Sequence, residues 1–461
     1  MNNSCKPLSL PLHGQLLYAS GSAAFTILER MILLYMPFYY MPPAEFSLPD
    51  LISGQVYLGF ITVMGAALMA GRILDGLSDP LIASLSDNNR SRFGRRKIFL
   101  LVSGLPLALF AALVFYPPFS EGESLLNGIW LGSMMIFFYV AFTAYVNPYL
   151  ALLPELGHNN SLRINLSTMI AFFGLLGMVL ITVIFPVAVG SLQDSGADLR
   201  SSYRGAVLLF VLLAVVLLYL AAAGFNEKIH GVPSCIERIG AWQSLKSTYS
   251  IRAFRIFLAG ELFLQFAMNI VTLGLIYYAV VLFQKEQRFI IILAGLTLGG
   301  ALLCFPAVNI AAKKYGKKRI ITLGVLCLAV CGALLFILSF NLTGLSYVLG
   351  LTVFVLAGFP LAVLTILINP TIADMARADY FRTGRRREAM FFGARAVPLK
   401  LAVALAGVCF AFLLSAFGKD IGEPLGVRLS ALVIALSGIC SYILFRIYPE
   451  KEVLAELDEE N

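Results

Sequence analysis

Charged residues and histidines are scarce in this chain. Only 13% of its 461 residues are Asp, Glu, Lys or Arg, about half the share that is usual in soluble domains. The three histidines, His13, His158 and His230, fall near the ends of apolar segments or between them, and neither an HExxH nor a GxSxG motif occurs. These absences exclude an ordinary soluble domain and argue against an enzyme, so we expect no catalytic residues.

The seven cysteines show no pattern that would form a metal or redox site. They contain no CxxC pair, and most lie inside apolar segments. A cysteine buried in this way usually behaves as a small hydrophobic residue. We therefore expect neither a metal-thiolate centre nor an organic cofactor.

Long apolar segments dominate the rest of the sequence, which is 59% hydrophobic. Most of them approach or exceed about 20 residues, the length that a helix needs to cross a bilayer. The pattern predicts an all-α polytopic membrane protein with twelve transmembrane helices. The predicted spans are 14–41, 55–83, 98–116, 129–152, 164–190, 203–224, 254–283, 289–312, 319–339, 344–372, 389–417 and 424–448.

Lys and Arg are distributed unevenly among the short connecting segments. Positively charged loops stay in the cytoplasm, so the pattern predicts that both termini are cytoplasmic, in a plasma membrane or a bacterial inner membrane. The net charge of +8 follows from this topology and needs no nucleic-acid partner. Five basic residues each occur in 90–97, 313–319 and 377–387, and none occurs in 41–51, 116–126 or 340–345.

A short basic motif occurs twice, six predicted spans apart. Arg92-Phe-Gly-Arg-Arg-Lys97 follows the second span, and Lys314-Tyr-Gly-Lys-Lys-Arg319 follows the eighth. Unrelated cytoplasmic loops can also collect basic residues around a glycine, but repetition at this offset favours two six-helix halves. The predicted organisation is an N-terminal bundle at 1–224, a cytoplasmic linker at 225–252, a C-terminal bundle at 253–448 and a cytoplasmic tail at 449–461.

The second predicted span carries charges that a bilayer tolerates poorly. Asp75 and Asp79 are four residues apart on one helix face, and each ionised side chain near the bilayer centre costs about 2.5 to 3.5 kcal/mol. Such residues usually bind an ion, pair with a partner or face a cavity. The pair therefore predicts a cation site; alternatively, Arg72 neutralises Asp75 in a fixed ion-pair network.

The residues around this pair resemble a known family. The segment from Gly71 to Pro80, followed by the first basic motif, is similar to the second span of the glycoside-pentoside-hexuronide:cation symporters, the melibiose-permease branch of the major facilitator superfamily. Segments 147–155 and 373–400 resemble the family's fourth-span exit and the stretch that joins its tenth and eleventh spans. The resemblance covers both halves and implies two pseudo-symmetric six-helix bundles, the major facilitator fold.

The resemblance also implies an ion site. The ion site of the sodium-coupled members resembles four positions of this chain: Asp75, Ser78 and Asp79 on the second span and Thr143 on the fourth. All four supply oxygen ligands, which a small hard cation prefers, and a carboxylate pair at low dielectric also suits a proton. The coupling cation is therefore Na⁺ or H⁺, and Arg72 beside the acids is a candidate for coupling.

The family's sugar-binding groups are missing here. Its members hold sugar hydroxyls with acids, an arginine and tryptophans, and a pocket without these groups cannot strongly select the same disaccharide. A substrate identical to that of the melibiose permease is therefore not expected. The corresponding positions are Thr26, Val146, Ala171, Leu150 and Thr365.

Other polar residues are candidates for contacting the substrate. Glu29 and Arg30 lie one turn from Thr26 in the first span and predict a substrate clamp, unless each pairs with a different helix for packing. Asn147 adds neutral hydrogen-bonding capacity to the fourth span. Lys400, which matches a family lysine, predicts either a contact to an anionic group of the substrate or a counter-charge for the acids of the second span.

The first basic motif also resembles the superfamily's cytoplasmic latch. In that latch, loop charges engage helix ends of the other half in one state and release them in the other. The matching residues are Asp87, Arg92, Arg95 and Arg96. Anchoring by basic residues explains the arginines equally well, but it does not explain Asp87.

Together these features predict a cation-coupled secondary transporter that moves a sugar or sugar derivative by alternating access. The alternative is a sodium-dependent transporter of a lysophospholipid or another amphipathic lipid, because vertebrate lysolipid importers of the same branch keep the paired aspartates and lack the sugar-binding set. A scaffold without transport activity would not need the acids. We expect a small-molecule solute and membrane lipids as partners, and a functional monomer.

Overall fold

The computed structural model describes residues 10–46, 48–89, 91–157, 160–230, 248–383, 388–450 and 452–453. Every regular element in this part of the chain is a helix. When the pieces of an interrupted helix are counted together, the described residues form twelve long helical segments. The predicted all-α fold class is confirmed.

The first six segments precede the predicted linker. α5 begins as Asn160–Val179, continues through a π-helical stretch, Leu180–Ile184, and ends as Phe185–Asp194. The others are continuous: α1 is Leu12–Tyr40, α2 is Val63–Asn88, α3 is Lys97–Leu113, α4 is Leu125–Leu156 and α6 is Leu199–Ala223.

The second six segments follow the linker. α7 is Arg252–Tyr277, extended by the π-helical stretch Tyr278–Leu282, and α10 is broken at Ala357 into Leu345–Leu356 and Gly358–Thr383. The others are α8, Ile290–Tyr315; α9, Lys317–Leu338; α11, Glu388–Phe417; and α12, Leu425–Ile447.

Ten of the described helical segments are long and apolar enough to cross a membrane. The two others are α3, which has 17 residues, and α2, which contains Arg72, Asp75 and Asp79. The side chains of Arg72 and Asp75 are only 10% and 2% exposed. Because these charges are buried in protein, they do not prevent α2 from taking the place of the second span.

The second span begins later than predicted. The hydropathy pattern starts it at residue 55, but α2 begins at Val63. Leu58 and Gly59 adopt positive φ angles of 52° and 79°, which form a turn that a helix cannot contain. Thr62 Oγ1 then accepts a hydrogen bond of 3.0 Å from the backbone N–H three residues on and caps the helix.

The chain divides into two compact units. In the first unit α1 packs against α5 and α6, and α3 packs against α6. In the second, α7 packs against α11 and α12, and α9 packs against α12. The same neighbours therefore recur six helices apart. The first unit comprises the described residues of Met1–Pro42, Phe46–Gly54 and Ala66–Ile236, and the second those of Pro43–Glu45, Gln55–Gly65 and Glu237–Asn461.

Two of the predicted domains are only partly visible. Residues 231–247 of the linker and 454–461 of the tail lie outside the described residues. The short helix Glu227–His230 lies at the start of the linker. The domain boundaries therefore stay predictions.

Candidate cation and substrate site

α2 and α4 bring an acid and a hydroxyl together inside the first unit. The Thr143 hydroxyl donates a hydrogen bond to Asp75 Oδ1 at 2.5 Å, and the two residues are only 1% and 2% exposed. Hydrogen bonds to a charged acceptor are short and strong. Two of the predicted oxygen ligands are thus in direct contact.

A glycine allows this close approach of the two helices. A Cβ atom added to Gly71 of α2 would lie 2.6 Å from Cδ2 of Tyr139 on α4, which is too close for a real side chain. The guanidinium of Arg72 lies over the same ring, 4.5 Å from its centroid, in a cation–π contact. Asp75, one turn further along α2, consequently reaches Thr143.

Arg72 is shared between two carboxylates. Its Nη2 donates a hydrogen bond of 2.9 Å to Glu29 Oε1 of α1, while its Nη1 lies 3.6 Å from Asp75 Oδ2. The second separation is too long for a good hydrogen bond. A fixed ion pair between Arg72 and Asp75 therefore does not describe the site fully, because the shorter hydrogen bond of Arg72 goes to Glu29.

Asp79, one helical turn beyond Asp75, also contacts α4. Asn147 Nδ2 donates to Asp79 Oδ1 at 2.9 Å. The Ser78 hydroxyl instead donates to the backbone carbonyl of Asp75 at 3.1 Å, within its own helix. Among the described residues, no group of three or more His, Cys, Asp or Glu side chains is placed to hold a metal ion. A cation at this site would therefore need hydroxyl or amide oxygens beside the carboxylates.

The substrate candidates are less closely grouped. Arg30 is half-buried and makes no hydrogen bond or ion pair with the described residues, whereas its neighbour Glu29 binds Arg72. The two side chains thus have different surroundings, and their joint action as a substrate clamp stays a prediction. Thr26 Oγ1 faces α5, where it would lie 3.8 Å from a Cβ atom added to Gly174. Lys400 is half-buried on α11 of the second unit.

A buried ionic cluster in the second unit was not anticipated as a cluster. Arg395 Nε of α11 donates to both carboxylate oxygens of Glu261 on α7 at 2.8 Å, and Glu261 is fully buried. Arg395 Nη1 donates to Asn369 Oδ1 of α10 at 2.8 Å. Glu261 and Arg395 are recognisable in the sequence as charges within apolar segments. They are 134 positions apart, however, so no local sequence pattern predicts that they pair.

The first basic motif is held inside its own unit. Arg95 and Arg96 both pair with Glu155 at the end of α4, Arg96 at 2.9 Å. The Glu227 carboxylate accepts hydrogen bonds of 2.8 to 3.1 Å from the backbone N–H groups of Arg95, Arg96 and Lys97 and so caps the start of α3. Burial raises the pKa of Glu155, although the two guanidinium groups oppose this effect.

The second basic motif repeats the arrangement. Lys317 pairs with Asp374 of α10, and Glu450 accepts a hydrogen bond of 2.8 Å from the Lys318 backbone N–H. The glycine of each motif has a positive φ angle, 118° in the first and 88° in the second. The repeat thus includes an acid on the fourth helix of each unit and another after the sixth, which the motif comparison did not reveal.

The structure describes the side chains of three of the four residues of the predicted latch, Arg92, Arg95 and Arg96. Arg95 and Arg96 bind helix ends of their own unit, and the Arg92 guanidinium lies 5.0 Å from the centroid of the Phe93 ring. The side chain of Asp87 lies outside the described residues. A release of these contacts during transport stays a prediction.

Known proteins with similar sequences are transporters. An uncharacterized symporter of Synechocystis sp. is 23% identical, with 93% of this chain and 90% of that protein covered. The isoprimeverose transporter of Lactiplantibacillus pentosus is 27% identical, with 77% and 73% covered. Among solved structures, the nucleoside transporter NupG has a TM-score of 0.65 at 11% identity, with 97% of this chain and 99% of that chain covered.

The similar structure establishes the fold, which is that of the major facilitator transporters, and the similar sequences are those of transporters rather than enzymes. Residues 17–445 match the family model described as MFS/sugar transport protein. This match includes both units and both basic motifs. The chain therefore belongs to the MFS/sugar transport protein family, which confirms its predicted membership of the glycoside-pentoside-hexuronide:cation symporters.

Proposed function

We propose that the protein is a secondary transporter that couples the movement of a sugar or sugar derivative to Na⁺ or H⁺ by alternating access. The family match and the names of the relatives support the substrate class. The observation that carries the coupling is the buried contact between Asp75 and Thr143, with Arg72 at its edge. The lysophospholipid alternative receives no support from the relatives reported above.

Arg72 connects the cation site to α1. Its contact with Asp75 is the longer of its two, so a cation that binds Asp75 and Asp79 displaces the guanidinium at low cost. The displaced guanidinium then moves toward Glu29. Because Glu29 lies one turn from Thr26, this movement changes the charge and the hydrogen-bonding groups on the face of α1 that contacts the substrate. Linkage requires the reverse effect, so the substrate also tightens cation binding.

Cation binding is tested by thermal unfolding of purified protein against Na⁺ at fixed ionic strength and several pH values. A ligand of the folded state stabilises it by about 2.7 kcal/mol at a hundred times its dissociation constant. We expect Na⁺ to stabilise the wild type and the control Glu123→Gln, but not Asp75→Asn. A response to pH alone, lost in Asp75→Asn, would identify the proton. A folded wild type without either response would contradict the coupling.

The substrate class is tested in reconstituted vesicles. A panel of glycosides, pentosides and hexuronides is offered with and without a gradient of the identified cation, and radiolabelled lysophosphatidylcholine is offered in parallel. We expect gradient-dependent uptake of at least one sugar and none in Asp75→Asn vesicles that contain equal amounts of protein. Gradient-dependent uptake of the lysolipid without uptake of any sugar would reject the sugar assignment and leave the cation site intact.

A further inference from the structure

A groove between α9 and α12 of the second unit is lined by three basic residues and one acid. Its volume is about 450 Å³, within the range of small-ligand sites. α9 supplies five of the lining residues, and α12 with the segment after it supplies three. They are Lys318, Arg319, Thr322, Leu323 and Leu326 from the former, and Tyr442, Arg446 and Glu450 from the latter.

The lining changes from charged to apolar along α9. Lys318 and Arg319 stand in its first turn, and Leu323 and Leu326, which are 47% and 37% exposed, continue the same helix face. At 1.5 Å per residue, the Cα atoms of Lys318 and Leu326 are about 12 Å apart. This sequence of charge and apolar surface matches the headgroup and upper acyl chains of a phospholipid.

The internal repeat shows which of the basic residues belong to the shared architecture. Lys318 Nζ donates to the Tyr448 carbonyl at 2.6 Å, and in the first unit Lys97, one motif position further on, donates in the same way to the Phe225 carbonyl. The residue two positions before that carbonyl is Arg446 in the second unit but an alanine in the first. Arg446 is exposed and forms no ion pair with the part of the chain that the structure describes. Its charge is therefore additional to the repeated network.

We propose that this groove binds one anionic phospholipid, with the phosphate between Arg319 and Arg446 and the acyl chains along Leu323 and Leu326. Guanidinium groups bind phosphate oxygens through paired hydrogen bonds. Tyr442, one turn from Arg446, supplies an aromatic ring of the type that favours the membrane interface. In the predicted topology the groove faces the cytoplasmic leaflet, whose surface is anionic. This site is distinct from the transport site and does not depend on the solute.

General attraction between loop charges and an anionic membrane is the competing explanation, because it also favours basic residues at this level. A defined site instead predicts saturable binding that depends on the arginines of the groove more than on equal charges nearby. Lys313 is exposed near the end of α8 and does not line the groove. Its substitution is therefore the matched control.

The test uses the full-length protein in detergent, with native mass spectrometry and thermal unfolding as readouts. Phosphatidylglycerol should bind saturably and stabilise the protein, whereas phosphatidylcholine and glycerol phosphate should do neither. A basic residue near the membrane surface contributes about fivefold to lipid affinity. We therefore expect Arg446→Gln to weaken binding about fivefold, Arg319→Gln/Arg446→Gln to weaken it further, and Lys313→Gln to leave it unchanged.

Equal binding of phosphatidylcholine, or an equal loss in Lys313→Gln, would overturn the proposed site. Glycerol phosphate that stabilised as well as the lipid would show a site for a free phosphate ester and reject the lipid. Arg446→Lys keeps the charge but loses the paired hydrogen bonds, so it should bind the lipid more weakly than the wild type, whereas general attraction predicts equal binding. This variant and the lipid preference of the wild type test the proposal even where Arg446→Gln does not fold.

Discussion

Replacing Glu29 with Gln should weaken binding of the coupling cation without removing any predicted ligand. In the wild type Glu29 holds Arg72 at 2.9 Å and keeps it 3.6 Å from Asp75. Without the negative charge on Glu29, the guanidinium should close on Asp75 to the usual charge-assisted distance of about 2.8 Å. The carboxylate that attracts the cation is then more completely neutralised.

The size of the effect follows from the two distances. At an effective dielectric constant of about 20, two unit charges attract by about 4.6 kcal/mol at 3.6 Å and by about 5.9 kcal/mol at 2.8 Å. The difference of about 1.3 kcal/mol must be overcome by an incoming cation, which corresponds to roughly a tenfold loss of affinity. Loss of the Glu29 charge itself acts in the same direction.

The assay is thermal unfolding of the purified protein against cation concentration at fixed ionic strength. The concentration for half-maximal stabilisation should rise about tenfold in Glu29→Gln, whether the cation is Na⁺ or H⁺. Glu121→Gln removes the same charge from an exposed position and should leave the concentration unchanged. An unchanged or lower value in Glu29→Gln would refute the idea that Arg72 is divided between the two acids.

Three further predictions test other parts of the structure. Gly94→Ala and Gly316→Ala should each lower the free energy of unfolding by about 1 to 2 kcal/mol, because both glycines have positive φ angles. Gly94→Ala should lose about 1 to 3 kcal/mol more, since its new Cβ would overlap a carboxylate; equal unfolding free energies would contradict this. Arg395→Met should lower the free energy of unfolding by about 3 to 5 kcal/mol, because Glu261 stays buried without its guanidinium partner. The double variant Arg395→Met/Glu261→Leu should recover most of this loss, and denaturant unfolding measures both changes. Asp198→Ala should cost about 1 kcal/mol at neutral pH by removing the cap of α6. Hydrogen bonds lower the pKa of that carboxyl, so its contribution is present above the unfolded pKa of about 3.9. As the pH falls through the folded value, the two proteins should converge in stability, and a constant difference would count against the cap.

The contact between α2 and α4 could be anticipated from the sequence. Asp75 and Asp79 share a helix face by their spacing, and the family resemblance placed Thr143 with them. The structure has Asp75 and Thr143 in a hydrogen bond; that the set binds a cation stays a prediction. The resemblance identified this contact because it includes matching residues on both helices, and not only on the one that carries the two acids.

The partner of Glu29 could not be read from the sequence. Neighbouring residues of a helix point about 100° apart, so Glu29 and Arg30 were expected either to act as a clamp or to pair with different helices. The choice depends on the relative position of α1 and α2 along their axes, which no local pattern encodes. The same limit applies to Glu261 and Arg395, whose contact depends on the packing of α7 against α11.

The misplaced start of the second span has a local cause. Tyr57, Leu58 and Phe60 count as apolar in a hydropathy pattern, but they are 46%, 84% and 55% exposed. Hydropathy reports composition and is insensitive to backbone conformation. The positive φ angles at Leu58 and Gly59 therefore place a turn near the beginning of the apolar segment. Hydropathy could not predict this turn, which delays the start of the helix.

The two buried arginine clusters differ in how firmly each guanidinium is held. Arg395 gives Glu261 hydrogen bonds from two of its nitrogens, a geometry that combines charge and orientation and is costly to break. Arg72 gives one short bond to Glu29 and a longer contact to Asp75, so a small movement changes the balance between its acids. A cation can therefore shift Arg72 far more easily than Arg395. It follows that Arg395→Met should lower the unfolding free energy but leave the half-saturating cation concentration of the folded protein unchanged, whereas Glu29→Gln should raise that concentration about tenfold.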